Sequence, residues 1–400
     1  MNQNSVGASL KDISLPAIVT GALAALVGFT GSFAVVVQGL TSVGASTEQT
    51  ASALMALCFT MGLCGVLLST FYKMPISIAW STPGAAMLTG SASIVGGFNA
   101  AVGAFLVCAA LLTLVGFWKP LSRMVSAIPT SLASAMLAGI LFGLCLAPVK
   151  AVAEYPMFAL PIFFVWLLAG KIHKLLAVPA ALLTFFVILF FFIDVPDGFS
   201  SLTQESILTK LVWVTPEFSV GATIGIAIPL FIVTMASQNI PGMGVLRAND
   251  YHPDSRPLFA MTGIFSLLSA PFGGHAVNLA AITAAMCAGP EAQADSRKRY
   301  WSAIVAGLCY MVFALFAGAI TKLVTLAPPI LIQAVAGLAL IGACAGALVA
   351  AFELASQREA AAITFFISAS GVTFGGVSGA FWGLIFGWLV LFIQDFTRKK

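Results

Sequence analysis

The sequence predicts an all-α polytopic membrane protein of fourteen transmembrane segments, built as a seven-plus-seven inverted-topology repeat. Three observations predict it. Of 400 residues, 60% are hydrophobic and 8% are charged, whereas an ordinary soluble domain carries about 25% charged residues. The charges that exist punctuate long apolar runs, each sufficient for one or two spans of roughly 20 residues. Two of those runs, near Pro83 and near Gly274, are interrupted at matching places, each third in a group of seven.

In chain order, Ile13–Thr47 holds span 1 and Gln49–Tyr72 holds span 2. Met74–Trp118 is free of charge and carries two elements. The first, span 3, cannot be a continuous helix, because Pro75 and Pro83 break it and Ile76–Trp80 is strand-like. Ser93–Trp118 is span 4, followed by Val125–Val149, Tyr155–Gly170 and Leu175–Ile193 as spans 5, 6 and 7. The most acidic loop, Asp194 to about Pro216, divides the halves. Phe218–Leu246 and Pro257–Ala270 are spans 8 and 9, and Pro271–Pro290 is the second broken element, span 10. Tyr300–Thr321, Leu326–Phe352, Ala360–Thr373 and Ser378–Gln394 complete spans 11 to 14.

The basic residues test this topology. With both termini cytoplasmic, outer loops receive only Lys150, Lys210 and Lys322, so 15 of the 18 Lys and Arg fall inside, as the positive-inside rule requires. Miscounting by one span would scramble that bias. Each group of seven is odd, so the second group starts on the opposite side of the membrane, and the broken elements approach each other near mid-membrane. Irregular backbone at that depth needs protein, water or ligand to satisfy it. Half-helices that begin there aim free N–H groups and a positive dipole end at one place, which favours an anion. Ordinary proline kinks at Pro83 and Pro271 are the alternative.

Several function classes are excluded. No basic patch fits nucleic acid. The seven cysteines lie in apolar stretches without a CxxC pair, as small buried hydrophobes do. No P-loop, HExxH or nucleophile elbow appears, so neither an enzyme nor a metal or other cofactor is expected.

The candidate site residues cluster at the breaks. His275 is the ionisable side chain placed nearest membrane depth, where such groups are costly and commonly functional. It either carries a proton or binds an anion, or it is a neutral histidine locking the break. Asn278, three residues on, is expected to share a half-helix face with it and to offer both donor and acceptor. Ser81 and Thr82 precede Pro83, a helix N-cap pattern that could also line a site. Gly84 and Gly274 stand at the two breaks. Trp80 offers a flat surface for a ligand. Ser237, Gln238 and Asn239 are three adjacent polar residues in span 8, which cannot all face lipid; Gln238 and Asn239 are candidate contacts or helix–helix bonds. The loop from Arg247 to Arg256 reads as a solvated loop with local salt bridges or as a latch.

Three strings carry a resemblance: PISIAWSTPGAAML (75–88), SQNIPGMGVLRANDY (237–251) and PFGGHAVNLAAITAAM (271–286). Over essentially its whole length the chain resembles the benzoate:proton symporter family (BenE), whose fold is similar to that of the uracil and anion transporters. The resemblance implies a core domain of spans 1–4 and 8–11 (residues 1–118 and 196–322). It implies a gate domain of spans 5–7 and 12–14 (119–195 and 323–400). It also implies proton-coupled symport of benzoate or a similar small aromatic carboxylate by alternating access, between opposed half-helices facing span 8. The setting would be the bacterial inner membrane, in contact with lipid, with a homodimer through the gate domains. Uracil-type relatives carry acidic residues in spans 8 and 10. Here Gln238 stands in span 8, and His275 with Asn278 in span 10, so the proton travels on His275 or the substrate enters as the neutral acid. Transport of a nucleobase or inorganic anion, and an anion channel, are the alternative readings.

Overall fold

The protein was analysed as a computed structural model, which describes residues 12–90, 96–118, 120, 128–192, 209–280, 282–374 and 377–398. The polar N-terminal tail and most of the predicted 194–216 loop lie outside the described residues.

The chain is helical almost throughout. Helix α1 (Leu15–Thr30) is capped by Ser14, and after a break at Gly31–Ser32 α2 runs over Phe33–Ser42. The predicted span 1 is one membrane-length segment, Leu15–Ser42, with a local break where the Ser32 hydroxyl donates to the Gly28 carbonyl at 2.8 Å and accepts from the Trp80 indole at 2.8 Å. Helix α3 (Thr47–Tyr72) opens with a full capping box, in which Ser46 and Gln49 each satisfy the other's backbone N–H. It ends at Lys73, which adopts a left-handed φ of 51°. Strand β1 (Ile78–Trp80) and helix α4 (Thr82–Thr89) follow, then α5 (Gly97–Phe117). Helices α6 (Thr130–Cys145) and α7 (Ala147–Glu154) form one nearly continuous apolar segment, and α8 (Pro156–Ile172) and α9 (Ala177–Phe192) close the first half.

In the second half an extended stretch leads into α10 (Val220–Ala248), which contains two π-helical stretches, Thr223–Ala227 and Met235–Asn239. Then come α11 (Ser255–Ser269), strand β2 (Val277–Leu279) and α12 (Ile282–Ala288). Helix α13 (Tyr300–Leu315) bends by 63° into α14 (Ala317–Thr325). Helix α15 (Pro329–Phe352), α16 (Arg358–Ala369), the short hairpin β3 (Thr373–Phe374) and β4 (Val377–Ser378), and α17 (Gly379–Arg398) complete the chain. Among the described residues six segments are long and apolar enough to cross a membrane, or seven if the bent pair α13–α14 counts as one. The remaining apolar helices are shorter. This is an all-α polytopic membrane protein.

Its helix contacts repeat with inverted order. Helix α3 packs along α13, and α11 packs along α5. If α3 corresponds to α11 and α5 to α13, these are the same contact made twice. Both crossings are close. A side chain added at Gly62 would meet the Gly307 carbonyl at 2.5 Å, and one at Gly116 would meet the Arg256 carbonyl at 2.5 Å. Without aqueous solvent between helices, such backbone approach through small residues supplies van der Waals contact in place of the hydrophobic effect. A second group forms around α6, which packs on α15 and α16, with α8 against α9 and α16 against α17. The first group meets the second where α4 and the second π-stretch of α10 touch α6, and where α2 touches α15.

The extended stretch before α10 ties the first group together. The Val212 N–H donates to Ser52 Oγ at 2.9 Å, Val214 N–H to the Pro271 carbonyl at 2.9 Å, and Glu217 N–H to the Asn99 carbonyl at 3.0 Å. At the other end of the molecule, Arg247 lies in the last turn of α10, so the charged loop is shorter than the sequence suggested. Asp254 caps α11, accepts from the Arg256 N–H and pairs with its guanidinium at 3.1 Å, which holds its carboxyl below the usual range. This loop has the expected local salt bridge, and the Tyr251 hydroxyl also donates to the Ser296 carbonyl at 2.6 Å.

Candidate functional site

The polar centre is built where the two interrupted segments cross. Strand β1 pairs antiparallel with β2 in the register Ile78↔Leu279, Ala79↔Asn278 and Trp80↔Val277. The pairing extends by one bond at each end, Ser81 N–H to the Ala276 carbonyl at 3.0 Å and Ala280 N–H to the Ser77 carbonyl at 2.9 Å. Backbone groups that a helix would have satisfied internally are therefore satisfied by the partner strand. Because the strands are antiparallel, α4 and α12 leave the crossing in opposite directions.

Hydroxyls stitch this crossing to its neighbours. Ser69 on α3 donates to the Ile76 carbonyl at 3.1 Å, and Ser266 on α11 accepts from the Val277 N–H at 2.8 Å. Below the strands Ser77 and Thr283 share a hydrogen bond of 2.8 Å. Above them Ser81 caps α4 by accepting from the Gly84 N–H at 3.2 Å, and its hydroxyl also pairs with Thr234 of α10 at 2.8 Å. The Ser81→Ala change removes both bonds. It should lower stability by about 1–2 kcal/mol, seen as earlier thermal unfolding in detergent; an unchanged midpoint would mean the cap contributes nothing.

His275 is fully buried. Its Nε2–H donates to the Ser81 carbonyl at 2.9 Å, and its ring meets Phe105 edge-on with centroids 6.3 Å apart. A carbonyl can only accept, so the proton sits on Nε2 and Nδ1 presents a lone pair. Nδ1 has no hydrogen-bond partner among the described residues.

The expectation that Asn278 shares a half-helix face with His275 is corrected. Asn278 lies on β2, where successive side chains alternate, because the helix starts only at Ile282. It nevertheless reaches the same corner. With its amide oriented to suit its neighbours, the oxygen accepts from the Ser81 N–H at 2.9 Å and the nitrogen donates to the Leu279 carbonyl at 2.8 Å. Asn239 is also fully buried, and its Oδ1 accepts from the Leu279 N–H at 2.9 Å. Gly274 donates its N–H to the Ser269 carbonyl at 3.0 Å, and a Cβ there would strike the Ser269 side chain at 2.6 Å. Gly84 lets α4 lie against Leu230 of α10, which a side chain would displace.

The candidate residues therefore divide. Ser81, Gly84, Asn239, Gly274, His275 and Asn278 are buried in the framework, each bonded or packed against another element. Thr82 and Gln238 are half-exposed and make no side-chain hydrogen bond among the described residues. Gln238 lies on the π-stretch of α10 that touches both β2 and α6, so the partly open polar surface lies along the junction of the two helix groups. Ser237, beside it, donates back to the Val233 carbonyl. Trp80 does not present a free face. It is 2% exposed, held by Ser32 and set against the Phe29 ring with centroids 5.6 Å apart. Thr234, Ser77 and Thr283 escaped sequence reading, because isolated hydroxyls in apolar helices commonly bond to their own backbone. No cluster of three metal-ligating side chains occurs among the described residues.

A multi-pass membrane protein with two interrupted segments meeting at a buried polar centre has the architecture of a secondary transporter. The chain belongs to the family described as benzoate membrane transport protein (BenE), which matches residues 11–393. It is 38% identical over 381 residues to the inner membrane protein YdcO of Escherichia coli, covering 94% of this chain and 95% of that one. It is 32% identical over 383 residues to the benzoate membrane transport protein of Acinetobacter baylyi, covering 96% of each. In fold it is similar to the transmembrane domain of a cyanobacterial bicarbonate transporter, BicA, with a TM-score of 0.58 at 16% identity over 97% of this chain and 98% of that one.

Proposed function

We propose that this protein carries benzoate or a closely similar small aromatic carboxylate across the bacterial inner membrane, together with protons, by alternating access. The observation that carries the reading is the crossing of β1 and β2 between two oppositely directed short helices, in a chain of this family. The first turn of α4 offers a positive dipole end and the Thr82 N–H to a carboxylate, since Pro83 has no N–H and those of Gly84 and Ala85 are taken by Ser81. Thr82 and Gln238 supply side-chain hydrogen bonds from the open side of the junction. Ser81, Gly84, Asn239, Gly274, His275 and Asn278 hold that geometry, and His275, with a free lone pair at Nδ1, is the proton-coupling residue.

The accompanying topology has fourteen spans in two inverted groups of seven, with spans 3 and 10 broken and both termini cytoplasmic. Residues 1–118 and 196–322 form the core, and 119–195 and 323–400 form the gate. The partition of helix contacts into two groups supports this division, and the distribution of basic residues supports the orientation. Substrate would be released when the core moves against the gate along the α4–α6 and α10–α6 junction. A homodimer would form through the gate helices.

Purified protein in liposomes with an inward proton gradient and labelled benzoate tests the reading. Accumulation above equilibrium that collapses with a protonophore is expected. Accumulation of a nucleobase or bicarbonate instead, or conduction without saturation, would replace it with another solute or with a channel.

A further inference from the structure

Away from the strand crossing, a cleft opens between the two helix groups at the far end of α4. One cavity there, of about 250 Å³, is lined by Thr89 of α4 and Gly90 just after it, Gly143 of α6, Lys150 of α7 and Ser368 of α16. A second, of about 400 Å³, lies between α2 and the start of α15. Gln38 and Gln333 line both, so the two are neighbouring parts of one cleft. Seven residues of helix separate Thr82 from Thr89, about 10 Å, so this cleft is not the first turn of α4.

Its chemistry is unusual for a gap between apolar helices. The wall is mostly aliphatic, including Ala86, Met87, Ile140 and Leu144. Against it stand polar groups that the protein leaves unused. Ser368 is 8% exposed, yet its hydroxyl has no hydrogen-bond partner among the described residues. The Gln38 Oε1 is likewise buried without one. Lys150 makes no salt bridge among the described residues, although Glu154 lies one turn further along the same helix. Unpartnered buried polar groups are costly and rare, and here two belong to residues that line one cleft. An apolar wall beside a cation and amide and hydroxyl groups matches a flat ring bearing one carboxylate.

We propose that this cleft is a docking chamber for the aromatic carboxylate, occupied before the substrate reaches the strand crossing. The inference rests on the transport reading and on the orientation given with it, which puts Lys150 outside. Lys150 at the mouth attracts the anion and holds its carboxylate while the ring lies on the α4 and α6 wall. The exposed position makes that attraction dependent on ionic strength.

Right-side-out membrane vesicles test it with labelled benzoate. Lys150→Gln should raise KM about tenfold at low salt, as expected for a lost hydrogen bond between charged groups, with kcat nearly unchanged and a weaker salt dependence. Lys150→Arg should restore most of the affinity. A Cβ added at Gly143 meets nothing within 4 Å, so the cleft has room for a thiol there. In Gly143→Cys protein, benzoate should slow labelling of the introduced thiol by an impermeant thiol reagent, above the baseline set by the parent, whereas benzyl alcohol should not. Protection should weaken when Lys150→Gln is added. An unchanged KM in Lys150→Gln, or labelling indifferent to benzoate, in vesicles that do accumulate benzoate overturns the chamber and leaves the transport reading standing. Parent vesicles that accumulate no benzoate overturn the transport reading, and protection of the thiol then decides by itself whether benzoate docks.

Discussion

His275→Gln protein should still fold and bind benzoate but should no longer drive its accumulation with a proton gradient. The glutamine amide nitrogen can occupy the place of Nε2 and keep the bond to the Ser81 carbonyl, now 2.9 Å. Its amide oxygen can accept a hydrogen bond but is not basic enough to take up a proton, as Nδ1 could without breaking an existing bond. His275→Leu should fare worse. The Ser81 carbonyl keeps its bond from the Ala85 N–H at 2.8 Å, so the direct loss is about 1 kcal/mol. The Phe105 ring and the mouth of α4 also lose the imidazole they pack against, and uptake should fall to background. Uptake measured against external pH for parent and both variants is the test. A glutamine variant with the parent's gradient dependence would remove His275 from proton coupling and leave it as a brace for the break.

Gly242→Val should abolish transport by lifting α10 off the strand crossing. A Cβ at Gly242 would sit 2.7 Å from Leu279 Cβ and 2.9 Å from the Ala280 carbonyl oxygen. Neither neighbour can yield freely, since the Leu279 N–H is held by Asn239 and the Ala280 N–H by the Ser77 carbonyl. Overpacking of a rigid contact costs about 1–3 kcal/mol, and here the strain falls on the backbone that starts α12. Gly244 provides the control, two residues along the same helix, where an added Cβ meets nothing within 4 Å. Gly244→Ala should be neutral or slightly stabilising, because alanine is favoured over glycine in a helix interior by about 1 kcal/mol. Detergent-solubilised yield, thermal unfolding and benzoate uptake would compare the two. Equal behaviour would show that α10 is free to move against β2.

These predictions differ in how much of their basis the sequence displays. Pro75 and Gly273–Gly274 mark where the chain leaves the helix and Pro83 where the next one begins, and the strand-like run before Trp80 does become β1. The apolar runs 49–72 and 326–352 contain α3 and α15 with ends within a few residues. The break at Gly31–Ser32 was not legible, since its stabilising partner, the Trp80 indole, is 48 residues away. The sequence also put His275, Asn278 and Asn239 among the candidates, because amide and imidazole groups are rare in apolar segments. It did not show that Asn239 spends its oxygen on Leu279, or that Asn278 belongs to a strand.

Composition and local chain chemistry alone determined that this protein lives in the bilayer, where its apolar segments run and where two of them must break. Those properties depend on a residue and its near neighbours, through the cost of burying charge and the inability of proline to continue a helix. Only the tertiary structure decided what the breaks pair with. His275 meets Ser81 across 194 residues of chain, and whether a buried hydroxyl or amide is spent or spare depends on such distant partners. The same holds for the cleft of Gln38, Ser368 and Lys150, drawn from helices α2, α16 and α7: none is notable in its own segment, and only packing puts an aliphatic wall, two unused polar groups and a cation around one space.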